Sequence, residues 1–348
     1  MLPELCAGLV MLGLTAYAVL GGADFGAGFW DLTAGGAKRG GRVRGMVQRS
    51  MSPVWEANHV WLIFVLVLVW TAFPVAFGSL FSTLSVPLFV AALGIILRGA
   101  AFALRGQAAT IREARGLGAV FALSSVLVPF SLGAAVGGIA SGRVPVGNAA
   151  GDLLTSWANP TSLAIGALAV ITGAYLAAVF LAGDSVRAGQ PDLVEAFRTR
   201  ALGAGVVAGL AAVAGLLVVR SDARPLFDGL TSGDGLVAVL VSGAAGVLTL
   251  VLVWRRRFGP ARASAAAAVA AMTVGWALAQ SPYVLPGELT LEEAAATDGV
   301  LTALVVSLAV GFLVLVPSLF YLYRLVLRGQ LDQQYEPLDQ RFRPADEP

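Results

Sequence analysis

Nine apolar stretches, each near the roughly 20 residues a helix needs to cross a bilayer, dominate this chain of 348 residues. They fall at about 5–32, 55–77, 79–103, 117–140, 160–182, 199–219, 235–254, 262–280 and 299–323. Spans two and three are separated only by a break around Gly78, which reads as a tight hairpin. The first run lacks a positively charged leader and is too long for the core of a signal peptide, so it reads as a first transmembrane helix. The fold class expected is therefore an all-α polytopic membrane protein with about nine transmembrane helices. Residues 1–323 form a single bundle, and 324–348, polar and carrying Pro337, Pro344 and Pro348, form an extension with little fixed structure.

Charge supports this reading by its scarcity and its placement. Charged residues make up 13% of the chain, half the roughly one quarter usual in soluble domains, and mean hydropathy is +0.81. Nineteen of the 23 basic residues lie in alternate loops and the tail, among them Lys38, Arg39, Arg42, Arg44 and Arg49 in loop 33–54 and Arg255, Arg256 and Arg257 in loop 255–262. Basic loops stay in the cytoplasm, so the N-terminus is expected outside and the C-terminus inside. The last outer loop, 281–298, agrees: it holds Glu288, Glu292, Glu293 and Asp298 and no basic residue. The single cysteine, Cys6, excludes an intrachain disulfide and a thiolate metal cluster. The single histidine, His59, excludes haem ligation by two histidines of this chain. No metal site and no nucleic-acid partner are expected. Small residues at helical spacing, Gly22/Gly26, Gly133/Gly137 and Gly205/Gly209, suit ordinary close packing of helices in lipid.

Ionisable groups inside the membrane are costly and mark functional positions. Four fall within spans: Asp24, Glu56, His59 and Arg98. Asp24 lies in the inner half of span one, about 12 Å from its end at 1.5 Å per residue, on one stripe with Tyr17, Gly21 and Gly28. It could carry protons, or simply pair with Arg98 or cap a broken helix. Span two opens Ser52-Pro53-Val54-Trp55-Glu56-Ala57-Asn58-His59-Val60-Trp61. Ser52 suits the N-cap and Pro53 the first helical position. Glu56 then sits in the first turn, where the helix dipole favours an anion, and His59 is three residues on, able to face it. A carboxylate, an imidazole and the Asn58 amide at the cytoplasmic edge could pass protons. The tryptophans alone read more readily as interface anchors. A single histidine could also bind a five-coordinate haem, but an acidic neighbour suits a relay better.

These segments resemble the second subunit of cytochrome bd-type quinol oxidases. The resemblance rests on Tyr17–Gly28, Pro53–Ile63, Ile96–Arg105, Ser281–Ala295 and Tyr323–Gly329, in the family's order from span one to span nine. The block from Trp55 to Trp61 is its most specific part. The resemblance implies a bacterial cell-membrane subunit, inactive alone, of an enzyme that oxidises quinol and reduces dioxygen to water without pumping. Two b haems, a d haem and the quinol-oxidising loop would belong to subunit I, and this chain would bind no cofactor of its own beyond a structural quinone or lipid. A small single-helix subunit, membrane lipid and quinone are the other partners implied. Carried over by position, Asp24 and Glu56 become proton-path acids, and Trp55 and Asn58 line the path. Trp61 would stand near oxygen access, and Arg98 near the subunit interface and haem propionates. The chain departs from the family's pattern in three places. Glu56 replaces a frequent aspartate, Gly21 stands where a second acid is common, and His59 occupies a frequently acidic position, where it could join the path as a group titrating near neutrality. The main alternative is a proton-coupled secondary transporter, which buried acids and glycine-interrupted helices would also suit. A purely structural role for the acids is the other.

Overall fold

A computed structural model describes residues 1–35, 37–51, 54–105 and 107–328, giving the backbone alone at 37–39 and 327. In chain order the helices are α1 (Leu2–Leu32), α2 (Ala37–Met51), α3 (Trp55–Ala72), α4 (Pro74–Thr83), α5 (Ser85–Arg105), α6 (Ile111–Ala140) and α7 (Pro160–Arg187). There follow α8 (Pro191–Asp222), α9 (Arg224–Leu230), α10 (Gly233–Trp254) and α11 (Phe258–Gln280). A two-stranded hairpin, β1 (Tyr283–Leu285) and β2 (Leu289–Thr290), leads to α12 (Leu291–Ala294) and α13 (Asp298–Leu327). Nine of the described helices, α1, α3, α5, α6, α7, α8, α10, α11 and α13, are long and apolar enough to cross a membrane. Their starts follow from local chemistry. The Thr110 side chain accepts from Glu113 N ahead of α6, and Asn159 accepts from Ser162 N ahead of α7. Pro160 and Pro191 occupy opening positions where the missing N–H costs nothing.

One expectation needs correction, and two of the connecting segments carry structure of their own. The break between spans two and three is not at Gly78, which lies inside α4. Pro74 ends α3 earlier: it has no N–H, and its ring pushes Phe73 out of the helical region, to φ −133° and ψ 62°. Gly78 instead makes room for Asn148, whose Oδ1 lies 2.5 Å from where a Cβ would stand. Loop 33–54 is largely the helix α2. It is too polar to span, and its apolar stripe of Val43, Met46, Val47 and Met51 is buried in the same core as α1 and α7. The loop 281–298 is likewise built, with Thr290 and Glu293 closing a capping box ahead of α12. Hydrogen bonds from the Thr290 amide and hydroxyl hold the Glu293 carboxyl below its usual range. The expected cap at Ser52 and Pro53, and most of the expected tail, lie outside the described residues.

α1 runs through the centre, against α3, α6, α7 and α11. Its crossing with α7 is backbone to backbone: a Cβ at Gly26 would stand 1.8 Å from Gly173 O. Trp30 fixes the same crossing by donating from Nε1 to Ala174 O at 2.8 Å. Gly133 and Gly137 admit α7 to α6 in the same way. Of the other paired glycines, Gly205 accommodates Tyr175 and Leu250, Gly22 makes only ordinary contact with Leu176, and Gly209 faces open space. The outer helices α8, α10 and α13 turn side chains such as Leu210, Leu240 and Leu313 outward, as lipid or a partner requires.

Candidate functional site

Asp24 is only 5% exposed. It sits in α1 about two turns before that helix ends at Leu32, toward the end of the bundle where the basic loops gather. Oδ2 of its carboxylate accepts from Asn58 Nδ2 at 2.6 Å. Because a carboxylate only accepts, this fixes the orientation of the Asn58 amide. The Asn58 carbonyl oxygen then accepts from Tyr323 Oη at 2.8 Å. A short polar chain thus joins α13, α3 and α1, and the start of α3 sets it, placing Asn58 in the first turn beside Asp24.

Arg98, on α5, is 1% exposed. One terminal nitrogen donates to Asp24 O at 2.9 Å, and Nε donates to Ser125 Oγ at 3.0 Å. Ser125 in turn donates to Phe121 O at 2.7 Å. The guanidinium lies 4.8 Å from the centroid of Phe25 and 5.0 Å from that of Phe121, a desolvated cation–π sandwich. The pairing of Asp24 with Arg98 anticipated from sequence therefore runs through the main chain, while the carboxylate turns to Asn58. Two opposite charges still share one buried pocket, and each offsets part of the other's desolvation cost.

Glu56 and His59, expected to face one another, do not. The His59 ring turns inward, its Nδ1 2.9 Å from Trp55 O, and its ring packs edge-on against Tyr17, Phe25 and Trp55. A bond to a carbonyl within the same helical turn holds the ring away from Glu56. The Glu56 side chain is exposed and makes no hydrogen bond or ion pair among the described residues. Trp55 packs on Phe102 and over Gly99. Trp61 is half-buried against the cluster of Tyr17, Phe25, Ala91 and Val128.

Sequence reasoning passed over Tyr323, Ser125 and a second buried acid. Asp31, 4% exposed, ends α1 between two arginines: Arg44 Nε lies 2.8 Å from Oδ1 and Arg105 Nη1 2.7 Å from Oδ2. It ties α2 and α5 to the end of α1. Its place one residue inside the expected edge of span one makes it look like an interfacial group, and both arginines fall in stretches that read as loop. Tyr323 likewise resembles an ordinary aromatic at a membrane boundary; only its register against Asn58 distinguishes it.

As a haem ligand His59 fits poorly. The rings of Tyr17, Phe25 and Trp55 pack edge-on against its imidazole. The site's chemistry is that of a buried carboxylate with a hydrogen-bonded link toward the basic end of the bundle.

Comparison with known proteins agrees with the resemblance. The chain is 23% identical over 324 residues, 90% of its own length and 92% of the relative's, to the "Putative cytochrome bd menaquinol oxidase subunit II" of Bacillus subtilis (strain 168). It is 29% identical over 125 residues, 36% of each chain, to the cytochrome bd ubiquinol oxidase subunit 2 of the same organism. A chain in the structure of bd oxidase from Geobacillus thermodenitrificans superposes with a TM-score of 0.80 at 26% identity, over 94% of this chain and 99% of that one. The family described as cytochrome bd terminal oxidase subunit II matches residues 2–326, and this chain, a multi-pass bacterial membrane protein and a component of a quinol oxidase complex, belongs to that family.

Proposed function

We propose that this chain packs against a haem-bearing subunit I and supplies it with protons from the cytoplasm for the reduction of dioxygen to water. The observation that carries this reading is the chain Tyr323–Asn58–Asp24. A carboxylate deep in the bundle is hydrogen-bonded, through an amide, to a half-buried phenol near the basic end. A buried carboxylate is costly unless something compensates it, and carboxylates are usual carriers in membrane proton relays. In this reading the basic end faces the cytoplasm, with the N-terminus outside. Residues 1–323 act as one bundle, and 324–348 extend into the cytoplasm.

Glu56, exposed on the first turn of α3, gathers protons at the rim. Asn58 and Trp55 line the way to Asp24, and His59 lies beyond it. Arg98 is enclosed within this chain, which favours a counter-charge to Asp24 over contact with haem propionates. The subunit I surface is the apolar face of α3 and α5, where Ile63, Trp70, Phe89 and Ile96 are 60%, 64%, 69% and 67% exposed. Trp61 borders that face and the aromatic cluster beneath it, a position suited to oxygen access. Haem and quinol chemistry belong to subunit I. A small single-helix subunit, lipid or a structural quinone would find apolar faces on α8, α10 and α13.

The test is oxygen consumption by the assembled complex carrying Asp24→Asn or Glu56→Gln, with the reduced-minus-oxidised haem spectrum as the control for assembly. Turnover falls in both variants while the spectrum persists. Wild-type turnover in Asp24→Asn removes Asp24 from the mechanism, and the same result in Glu56→Gln removes Glu56.

A further inference from the structure

Around His59 two polar groups are left over. The first is the His59 Nε2. Trp55 O, a carbonyl, can only accept, so the 2.9 Å contact to Nδ1 requires the proton on Nδ1. That leaves Nε2 of the neutral ring as an acceptor, and no residue among those described donates to it. The second is the hydroxyl of Tyr17. This side chain is 6% exposed, and its Oη has no hydrogen-bond partner among the described residues. Its ring stands edge-on to His59 with centroids 5.9 Å apart.

Gly21 is what lets Tyr17 lie there. A Cβ at that position would come within 2.7 Å of the Tyr17 ring, so the ring folds along α1 toward the turn that carries Asp24. Tyr17 and Asp24 lie seven residues apart on one stripe, about 10 Å along the axis. A buried hydroxyl without an acceptor costs free energy comparable to a lost hydrogen bond, and such groups are ordinarily satisfied by an internal water. The Tyr17 ring meets the rings of His59 and Phe25 edge-on, with centroids 5.9 Å and 6.4 Å apart, so the donor and the acceptor left over belong to one aromatic cluster.

We infer that Tyr17 Oη and His59 Nε2 together hold a buried water, and that Tyr17 is a positioning residue for the route that leaves Asp24. Tyr17 donates to the water oxygen, and the water donates one hydrogen to Nε2. A proton passed to this water from the Asp24 side is relayed as the water's own hydrogen to Nε2, giving an imidazolium. Release from Nε2 toward the α3 face restores the neutral ring, so the proton count balances over each passage. The α3 face beside His59, with Val60 44% and Ile63 60% exposed, is where subunit I is proposed to pack. The inference rests on the proton-delivery reading above.

The experiment uses the complete oxidase complex with Tyr17→Phe, compared with Asp24→Asn. The change to Phe removes one oxygen and keeps the ring, so a packing role alone leaves turnover and the solvent isotope effect unchanged. Turnover is expected to fall about tenfold, the scale of one lost hydrogen-bonded link, with a larger solvent deuterium isotope effect and intact haem spectra. Wild-type turnover in Tyr17→Phe, or a fall with no change in isotope effect, overturns the inference while leaving the reading for Asp24 intact. Wild-type turnover in Asp24→Asn overturns the reading itself. If Tyr17→Phe does not assemble, a high-resolution density map of the wild-type complex decides. A water peak within hydrogen-bonding distance of both Tyr17 Oη and His59 Nε2 supports the site, and a map without that peak overturns it.

Discussion

Replacing Asp31 by asparagine should loosen the docking of α2 against the end of α1. The carboxylate, 4% exposed, accepts from Arg44 and Arg105, whose side chains are 18% and 9% exposed. Arg44 also donates to Gly35 O at 2.6 Å, so it staples the α1–α2 connection to the end of α1. Asparagine keeps the shape and one acceptor but removes the charge, leaving two guanidinium groups facing each other in a mostly desolvated site. Removing one partner of a buried ion pair costs about 3–5 kcal/mol. The retained amide oxygen and the partial exposure of Arg44 put this case near the lower end, about 3 kcal/mol. If that cost falls on the docking of α2, the opening equilibrium of 37–51 rises by about a hundredfold. Amide hydrogen exchange of the assembled complex in detergent would read this as faster exchange across α2, with α10 and α11 unaffected. Exchange within twofold of wild type across α2 would refute the reasoning, because Asp31 would then carry no load there.

Two further outcomes follow from the geometry. Gly26→Ala should force α1 from α7, since its Cβ would meet Gly173 O at 1.8 Å; overpacking of this kind costs about 1–3 kcal/mol and would appear as a lower Tm of the complex. Tyr323→Phe removes the bond to Asn58, worth about 1 kcal/mol; turnover should fall several-fold with no loss of haem absorbance, and an unchanged rate would take Tyr323 out of the path.

Much of this architecture was legible because the bilayer leaves few choices. A run such as 235–254 has no way to satisfy its backbone in lipid except as a helix, and its observed bounds, Gly233–Trp254, differ by two residues at the start and none at the end. Failures came where hydropathy is not the deciding term. At Phe73–Pro74 the backbone chemistry of proline overrode a continuous apolar run. In 37–51 an amphipathic stripe gained its burial from α1 and α7, contacts that no local window contains. The site divides in the same way. Asp24, Arg98 and Asn58 were visible as polar groups misplaced in lipid, and the structure brings all three together. That Arg98 would bond the Asp24 carbonyl rather than its carboxylate depends on the rotation of α5 against α1. The turning of His59 away from Glu56 depends on one carbonyl of its own helix. Tyr323 and Asp31 were invisible because each sits at a membrane edge, where polar groups need no special reason.

The most direct test reconstitutes the oxidase into liposomes with the basic end of the bundle facing a pH indicator, and follows proton uptake during a single turnover with dioxygen. Wild-type complex should take up protons from that side, and Asp24→Asn should slow the uptake about a hundredfold, the lower range for loss of a positioned proton carrier. Uptake at the wild-type rate in Asp24→Asn, or uptake from the opposite side, would contradict proton delivery through this subunit.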